Sequence, residues 1–437
     1  AATTTLTFTG TTYNANTQTY TAAAGNNIVM NNAAGVTFTS SNDNISFNTA
    51  NLALGDIGSL TVNSNNGAIS ALDIDGTSDE DLTLNAGTGT ISVGAIGAGN
   101  QINTVAMTAG TVGTGITLNG NITTSNLPGN DVTLTGNVTL VNASTVIDTD
   151  TAGADGNITI NGNGAVAAGG GWDRGLQLLA GTGTVDVSAT TISGLDHLVV
   201  TANTFSLGTT TLGDGAGNGN TALDITTVGD LTLSGIISTA GDTGSGNAGN
   251  IDFTGVGGTI QLASDVQIIT DAAAAGIDRS ILLGAFAGSG GTRNLTLTAG
   301  GGDIIFTADS VTNLGTISAT GANIIFSNAA SVDLSALNIA LNGTTSIMFD
   351  AGGANILTST ETVGTGTITL ASDAYTNFGS VSFVGQATGT QRVQFTGSTV
   401  ATTIGVGTGA AGALNITEAG LIGVNANIET VIIGAAG

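Results

Sequence analysis

The chain has 437 residues and contains neither cysteine nor lysine. Without cysteine there are no disulfides, no thiol nucleophile and no thiolate metal site. Without lysine there is no Lys–Asn isopeptide cross-link. The only basic residues are four arginines, against 30 acidic residues, and the net charge is -26. Binding to phosphate needs a basic face, so we expect no nucleic-acid partner and no attraction to anionic lipid.

Long apolar runs are also missing. No run approaches the roughly 18 residues of a membrane span, so we expect no membrane insertion. Only 8% of the residues are charged, and the chain begins at Ala1 rather than at methionine. That start is consistent with removal of a signal peptide or with excision from a longer protein. Together with the lack of lysine and cysteine, these features predict an extracellular or cell-surface protein.

Residues that favour helices are scarce, whereas residues that favour turns are abundant. Glycine accounts for 70 residues, proline occurs once, at Pro128, and nearly all of the acids are aspartate. Asp, Asn and Gly form turns, whereas Glu and Lys are typical of helix surfaces. Hydrophobic residues still make up 41% of the chain, which is too many for a disordered segment. The composition therefore predicts strands joined by turns.

Three stretches, residues 82–93, 176–187 and 295–306, read almost alike. Each is a short alternating run, an Ala-Gly turn and a second short run. Similar runs recur along the chain at intervals of roughly 8–12 residues, which is typical of an all-β protein. One such coil cannot bury its apolar face until neighbouring coils stack on it. We therefore predict a parallel β-helix, that is, one continuous β-solenoid over residues 1–437, rather than a β-sandwich.

The two ends of the chain carry very little charge. Residues 1–42 have no charged side chain, and residues 393–437 have only Glu418 and Glu429. An open edge of apolar strands recruits other chains. We expect residues 1–12 to form an edge or donor strand and residues 400–437 to form terminal coils. The expected contact residues are Thr5, Leu6 and Phe8 at one end and Val431, Ile432 and Ile433 at the other.

These ends are expected to pair with a second copy or with adjoining repeats of a longer chain. Head-to-tail pairing of this kind produces a filament. The alternative is that a polar loop caps each end.

Two acidic clusters offer the oxygen ligands that calcium prefers. Neither has the spacing of an EF-hand or of the calcium-binding nonapeptide repeat. They are therefore either a calcium site or a set of Asx turns on solvated loops. The candidate ligands are Asp73, Asp75 and Asp79 in the first cluster and Asp148, Asp150 and Asp155 in the second.

Catalytic signals are weak. His197 is the only histidine, which excludes a histidine metal cluster, and we expect it on the surface. Paired carboxylates could serve glycoside hydrolysis, but the Gly-His-Gly and Arg-x-Lys elements of polygalacturonase-like β-helix enzymes are missing. We therefore expect no enzymatic activity.

Threonine runs such as Thr3–Thr9 and Thr135–Thr139 raise the question of ice binding, which uses flat threonine ladders. Outward threonine is also an ordinary residue of a β-surface. The runs do not repeat in register along the sequence. We therefore expect no ice-binding face.

The three similar stretches, together with residues 129–140 and 402–434, resemble the filamentous-haemagglutinin-like repeats of giant bacterial surface proteins. The resemblance spans most of the chain and lies in the general pattern of the repeats, without an invariant motif. It implies a right-handed parallel β-helix, export to the cell surface and a role as an adhesin or extracellular fibre. Host or cell-surface glycans are the partners expected of an adhesin. The family has no common catalytic residues to transfer to this chain.

The expected function is therefore a structural filament subunit or adhesive module. Two alternatives stay open: a polysaccharide-binding or polysaccharide-cleaving β-helix protein, and a calcium-dependent component of a surface layer.

Overall fold

The computed structural model describes most of the chain, in two compact units, residues 1–210 and residues 211–437. Both units are built of short strands that stack in parallel, so the predicted all-β, parallel β-solenoid fold is confirmed. That a single solenoid continues over residues 1–437 stays a prediction. The described residues are 4–23, 25–55, 57–77, 79–110, 115–125, 127–151, 154–161, 165–168, 172–239, 246–272, 276–288, 292–307, 310–327, 331–352, 354–399, 402–407, 412 and 414–434.

The first unit consists of very short strands separated by tight corners. Strand β28, the last of these strands, begins at Thr210, the final residue of this unit. The strands are β1 (Leu6–Phe8), β2 (Thr12–Asn14), β3 (Gln18–Thr19), β4 (Ile28–Met30), β5 (Val36–Thr39), β6 (Ile45–Phe47), β7 (Leu52–Leu54), β8 (Ser59–Asn63), β9 (Ile69–Ala71), β10 (Ile74–Asp75), β11 (Asp81–Asn85), β12 (Ile91–Val93), β13 (Thr104–Thr108), β14 (Ile116–Leu118), β15 (Ile122–Thr123), β16 (Val132–Thr135), β17 (Val138–Leu140), β18 (Ser144–Asp148), β19 (Asp150–Thr151), β20 (Ala154–Asp155), β21 (Ile158–Asn161), β22 (Ala165–Ala168), β23 (Gly175–Leu179), β24 (Thr184–Val187), β25 (Thr191–Leu195), β26 (His197–Ala202), β27 (Thr204–Leu207) and β28 (Thr210–Leu212).

Successive coils of this unit place their strands on three faces, which we call A, B and C. Face A contains β1, β4, β7 and β10, continues through a single bridge at Ile96, and then contains β15, β18, β23 and β26. Face B contains β2, β5, β8, β11, β13, β16, β21, β24 and β27. Face C contains β3, β6, β9, β12, β14, β17, β22 and β25. Within these faces, a strand in the middle of the unit therefore pairs with the strand one coil before it and the strand one coil after it, whereas β19 and β20 form a separate antiparallel pair.

The alternation in the sequence becomes an alternation of inward and outward side chains, because successive residues of a strand point to opposite faces. On face B, Phe38, Val62, Leu84, Met107 and Leu134 are direct partners in consecutive coils. Each of them is at most 1% exposed. Burial of one such side chain contributes roughly 1.5–3 kcal/mol. The core is thus a set of aliphatic rows that run from coil to coil.

The Ala-Gly turn of the repeated stretches closes a corner between two faces. Its glycine is left-handed, with φ of 50° at Gly181 and 56° at Gly87. The amide that follows Gly181, that of Thr182, donates a 2.7 Å hydrogen bond to Oδ2 of Asp155 in the coil before. Glycine adopts this conformation without the steric penalty of other residues. The Ala-Gly turn of the repeat therefore lets one corner hydrogen-bond to the corner of the coil before.

The second unit has longer strands and three short helices. The helices are α1 (Glu418–Ile422) and two 3-10 turns, Ala216–Asn218 and Phe378–Ser380. The strands are β29 (Thr221–Thr227), β30 (Leu231–Ser238), β31 (Asn250–Val256), β32 (Ile260–Ile269), β33 (Ile281–Leu283), β34 (Phe286–Gly288), β35 (Arg293–Thr298), β36 (Ile304–Phe306), β37 (Ser310–Phe326), β38 (Asp333–Met348), β39 (Asn355–Ser359), β40 (Thr365–Ser372), β41 (Tyr375–Thr376), β42 (Val381–Val384), β43 (Thr390–Thr396), β44 (Ile404–Val406), β45 (Leu414–Ile416) and β46 (Thr430–Ile433).

The longest strands of this unit, β37 and β38, have 17 and 16 residues. They pair in parallel along most of their length, with register shifts after Val311 and Gly321 that mark irregularities in the ladder. Inside, the rings of Phe306, Phe326 and Phe349 stack from coil to coil, with centroids 5.2 and 4.9 Å apart. Aromatic side chains thus replace part of the aliphatic row here. No helix among the described residues is long and apolar enough to cross a membrane.

Candidate functional site

The first coil of the first unit ends in an open edge. Its strands β1, β2 and β3 pair in parallel with β4, β5 and β6. Within the described ranges, no strand pairs with their other side. The structure places Phe8 in the core of this coil, at 6% exposure, leaves Leu6 half-buried and exposes Thr5. The three predicted contact residues therefore lie along one unpaired strand edge.

Large rings fill the interior at this edge. Phe8 contacts Tyr13, Tyr20 and Phe38 at centroid distances of 4.9, 4.9 and 5.0 Å. The Tyr20 hydroxyl donates a 2.8 Å hydrogen bond to Oε1 of Gln18. Burial, helped by the neighbouring Tyr13, raises the pKa of Tyr20. The apolar core thus reaches the first coil of the unit, where the Tyr20 hydroxyl is hydrogen-bonded to Gln18.

Among the described residues, strand β46 of the second unit has a partner strand on one side only and so presents a second open edge. Strand β46 pairs with β43, with Val431 opposite Val393 and Ile433 opposite Phe395. Val393 and Phe395 are fully buried, so Val431 and Ile433 continue two inward rows of the core, yet they are 43% and 38% exposed. Ile432, between them, is half-buried. Val431 and Ile433 are therefore apolar side chains that the described residues cover only in part.

Helix α1 packs against the 3-10 turn Phe378–Ser380. Thr417 caps the helix by accepting a 3.3 Å hydrogen bond from the amide of Gly420. Gly420 sits so close to Phe378 that an added Cβ would lie 1.8 Å from the ring. The neighbouring Val424 forms a parallel bridge with Phe383. Helix α1 therefore covers Phe378, whereas β46 has a partner strand on one side only among the described residues.

The first acidic cluster is spread along the coil. The amide of Ala95 donates a 2.8 Å hydrogen bond to Oδ1 of Asp73, and the amide of Gly99 donates one of the same length to Oδ1 of Asp75. Asp79 lies in an exposed turn further on. Asp73 and Asp75 thus accept hydrogen bonds from the corner of the next coil, rather than from the backbone two residues further on as in an Asx turn.

The second acidic cluster brings two of its carboxylates together. Asp150 on β19 and Asp155 on β20 are partners in a small antiparallel pair. A Cβ on Gly181 would lie 2.7 Å from an oxygen of each. Hydrogen bonds donated by the amide and hydroxyl of Thr182 lower the pKa of Asp155. Burial raises the pKa of Asp148, which accepts a 2.9 Å bond from the amide of Asp150.

Neither cluster forms a complete metal site. Among the residues that the structure describes, no group of three or more histidine, aspartate or glutamate side chains could hold a metal ion. Several of the six candidate carboxylates instead accept hydrogen bonds from amides of their own coil or the next one. The calcium hypothesis therefore rests on the sequence pattern alone.

His197 is buried, and the expectation of a surface position was wrong. It is only 8% exposed, and its Nδ1 lies 2.8 Å from Oδ2 of Asp196. The ring occupies the space above Gly175, its partner in the coil before, where a Cβ would lie 2.2 Å from Nε2. Because Gly175 has no side chain, the coil has room for an imidazole.

The structure also pairs two carboxyl groups that the sequence pattern did not single out. Asp224 on β29 is in register with Asp252 on β31. Burial, and then the charge of Asp252, raise the pKa of Asp224. Asp252 accepts 2.8 and 2.6 Å hydrogen bonds from the amide and hydroxyl of Thr254. The signal that could have found them is the similarity of residues 223–225 and 251–253, which are both apolar-Asp-apolar.

Two neighbouring carboxyls can divide acid and base roles between them when their environments differ. A groove of about 400 Å³ in the same unit contains neither of them. Its lining residues are Gly288, Thr292, Asn313, Leu314, Leu337 and Thr360.

The outward threonines of face B are in register, contrary to the expectation from the sequence. Thr37, Thr61 and Thr83 are direct partners in consecutive coils, and so are Thr133 and Thr159 further along. The expectation was wrong because the corners differ in length. Residues that are unevenly spaced in the sequence therefore meet at the same position of neighbouring strands.

No known protein family, no curated protein and no solved structure matches this chain. The similarity to filamentous-haemagglutinin-like repeats therefore stays a hypothesis from the sequence. The function has to be argued from the coil ends, the faces and their charges.

Proposed function

We propose that the chain is a structural module of an extracellular filament or adhesive surface protein. Its solenoid ends join to a second copy or to adjoining repeats of a longer chain. The observation that carries this proposal is the exposed continuation of the core at β46, where Val431 and Ile433 extend rows that are otherwise fully buried.

A further coil on β46 would satisfy two needs at once. The unpaired side of a strand presents free amide and carbonyl groups that a new parallel strand can bond. The same strand would cover Val431 and Ile433, and each Å² of apolar area removed from water contributes about 25 cal/mol. Strands β1, β2 and β3 offer a complementary unpaired side at the first coil. End-to-end joining therefore repeats the contact that already holds coil to coil.

The distribution of charge supports joining at the ends rather than side by side. The net charge is -26, whereas residues 4–23 of the first coil contain no charged side chain. Thr430–Ile433 are uncharged as well, next to a single acid, Glu429. Like-charged outer surfaces repel each other and keep such proteins soluble. The ends are the places where this repulsion is weakest.

Substitution of Val431 by lysine tests the proposal. A charge on an edge strand is a common natural block to strand pairing. We expect the wild-type chain to form linear polymers under the electron microscope and Val431→Lys to stay monomeric in light scattering. Val363→Lys is the matched control, since Val363 is 94% exposed in the bend before β40, a strand that is separated from β46 by β43, and it should polymerise like the wild type. Thr7→Lys on β1 should block polymers from the other end.

A wild-type chain that stays a monodisperse monomer at high concentration would overturn homopolymer formation. In that case, fusion of a further copy of residues 4–54 after residue 434 distinguishes the remaining possibility. If adjoining repeats are the natural partner, the fused coils should protect β46 amides from hydrogen exchange. Unchanged exchange at Val431 and Ile433 in the fusion would contradict end pairing altogether.

A further inference from the structure

Face B of the first unit presents two parallel rows of small uncharged side chains, all threonine or asparagine except Ala106, which we call the Thr/Asn array. The rows lie two residues apart on seven consecutive strands, β2, β5, β8, β11, β13, β16 and β21. In chain order the pairs are Thr12 and Asn14, Thr37 and Thr39, Thr61 and Asn63, Thr83 and Asn85, Ala106 and Thr108, Thr133 and Thr135, and Thr159 and Asn161.

The array is regular in two dimensions. Every step along both rows is a direct register pair, without a bulge. Strand spacing places the side chains about 4.8 Å apart along each row and about 6.7 Å apart between rows. The seven coils thus present a surface on the order of 29 Å long. None of the array side chains is buried.

The array is also stiff. Threonine has few side-chain rotamers because it branches at Cβ. Oδ1 of Asn85 accepts a 3.0 Å hydrogen bond from the amide of Gly87, and the Thr135 hydroxyl donates a 2.7 Å bond to Asn161. A surface that is ordered before binding loses little conformational entropy when it binds.

The array carries no charge on a protein with 30 acidic residues. At the next coil the row reaches Asp186, opposite Thr159, and the neutral region ends there. The carboxylates that flank the array, on β11 and just before β16, already accept hydrogen bonds from other groups of the protein. Asp81 accepts a 2.7 Å bond from the Thr104 hydroxyl, and Asp131 accepts a 2.7 Å bond from the amide of Asn157.

A ligand that matches this surface must itself be periodic, uncharged and able to exchange hydrogen bonds at a fixed repeat. Ice has these properties, and each threonine offers it a hydroxyl beside a methyl group. A polysaccharide surface is the less suitable occupant, because none of the fourteen side chains is an aromatic ring on which a sugar could stack. We propose that the Thr/Asn array binds ice. This inference does not depend on the function proposed for the ends.

The experiment measures thermal hysteresis and ice recrystallisation with the full chain and two variants. Thr61→Tyr places a bulky ring in the middle of the array, at an outward position where tyrosine suits a strand. Thr117→Tyr is the matched control, since Thr117 faces outward on face C, between Ser92 and Thr139. Circular dichroism verifies that both variants keep the strand signal and melting temperature of the wild type.

We expect the wild type and Thr117→Tyr to show hysteresis that grows with concentration and to shape growing ice, and Thr61→Tyr to lose most of both effects. If Thr61→Tyr fails to fold, Thr133→Tyr takes its place in the same row. Absence of hysteresis in the wild type would overturn the proposal. So would equal activity of the face B and face C variants. Sedimentation with crystalline cellulose or chitin that Thr61→Tyr abolishes, without any effect on ice, would assign the array to a polysaccharide instead.

Discussion

Single residues at the corners hold neighbouring coils in place. Gly181 is left-handed, and its neighbour Thr182 bonds to Asp155 of the coil before. A side chain at Gly181 would lie 2.7 Å from oxygens of both Asp150 and Asp155. This corner therefore needs glycine for two reasons, its backbone angle and the closeness of two carboxylates.

Substitution of Gly181 by alanine should therefore destabilise the chain more than the same change at Gly129. Gly129 is also left-handed, with φ of 85°, but an added Cβ there would meet nothing within 4 Å. Gly129→Ala should lower the free energy of unfolding by roughly 1–2 kcal/mol, the cost of the left-handed angle for other residues. Gly181→Ala should lose this and more, as measured by urea unfolding. Equal losses for the two variants would show that the carboxylates of Asp150 and Asp155 can move away from the added methyl group without a loss of stability.

At the scale of single elements, each strand divides its residues between core and surface. Strand β11 illustrates this, since Leu84 is 1% exposed and Thr83 next to it is exposed. The inward row continues through Val62 and Met107. A cavity in this row has no neighbouring side chain that could easily fill it, because the backbones above and below are held by the ladder.

Leu84→Ala should therefore cost about 2–5 kcal/mol of stability, the range for removal of a large core side chain. Thr83→Ala, in the same strand, should change stability by less than about 0.5 kcal/mol, since it alters only the surface. Thermal and urea unfolding of the two variants provide the comparison. A larger loss for Thr83→Ala would mean that the inward and outward sides of β11 are reversed.

At the scale of the whole molecule, the excess of acidic groups raises the question of calcium. Many of the aspartates have partners within the protein, such as Asp73 with the amide of Ala95 and Asp373 with the hydroxyl of Thr402. Hydrogen bonds of this kind hold the pKa of Asp373 and of Asp155 below the ordinary value for aspartate. A carboxylate with a lowered pKa stabilises the fold above its unfolded-state pKa, and this contribution is lost as the pH falls through the folded-state pKa.

Removal of calcium should accordingly leave the melting temperature unchanged. The corners are held by bonds between carboxylates and amides, which need no metal ion. The measurement is differential scanning calorimetry of the full chain with EDTA and with millimolar calcium. A calcium-dependent rise in the melting temperature that disappears in Asp155→Asn would favour the surface-layer alternative.

The local alternation of residues was sufficient to predict the strands. Leu82–Leu84 and Ile91–Val93 alternate with a period of two, and the structure finds β11 and β12 there. Parallel stacking also followed, because coils with one apolar side and no helices can bury that side only against their neighbours.

Sequence alone thus determined the class of fold and the composition of its core, since both depend on patterns within a few residues. Only the tertiary structure decided which side chains meet between coils. Bonded partners lie 20 residues apart in one place, as Thr184 and Thr204 do, and 30 in another, as Asn247 and Ile277 do, because the corners vary in length. That variation hid the alignment of Thr61 with Thr83, the space for His197 over Gly175 and the pairing of Asp224 with Asp252. The register of a strand against its neighbour is set by hydrogen bonds across the coil, and a pattern of period two carries no information about it.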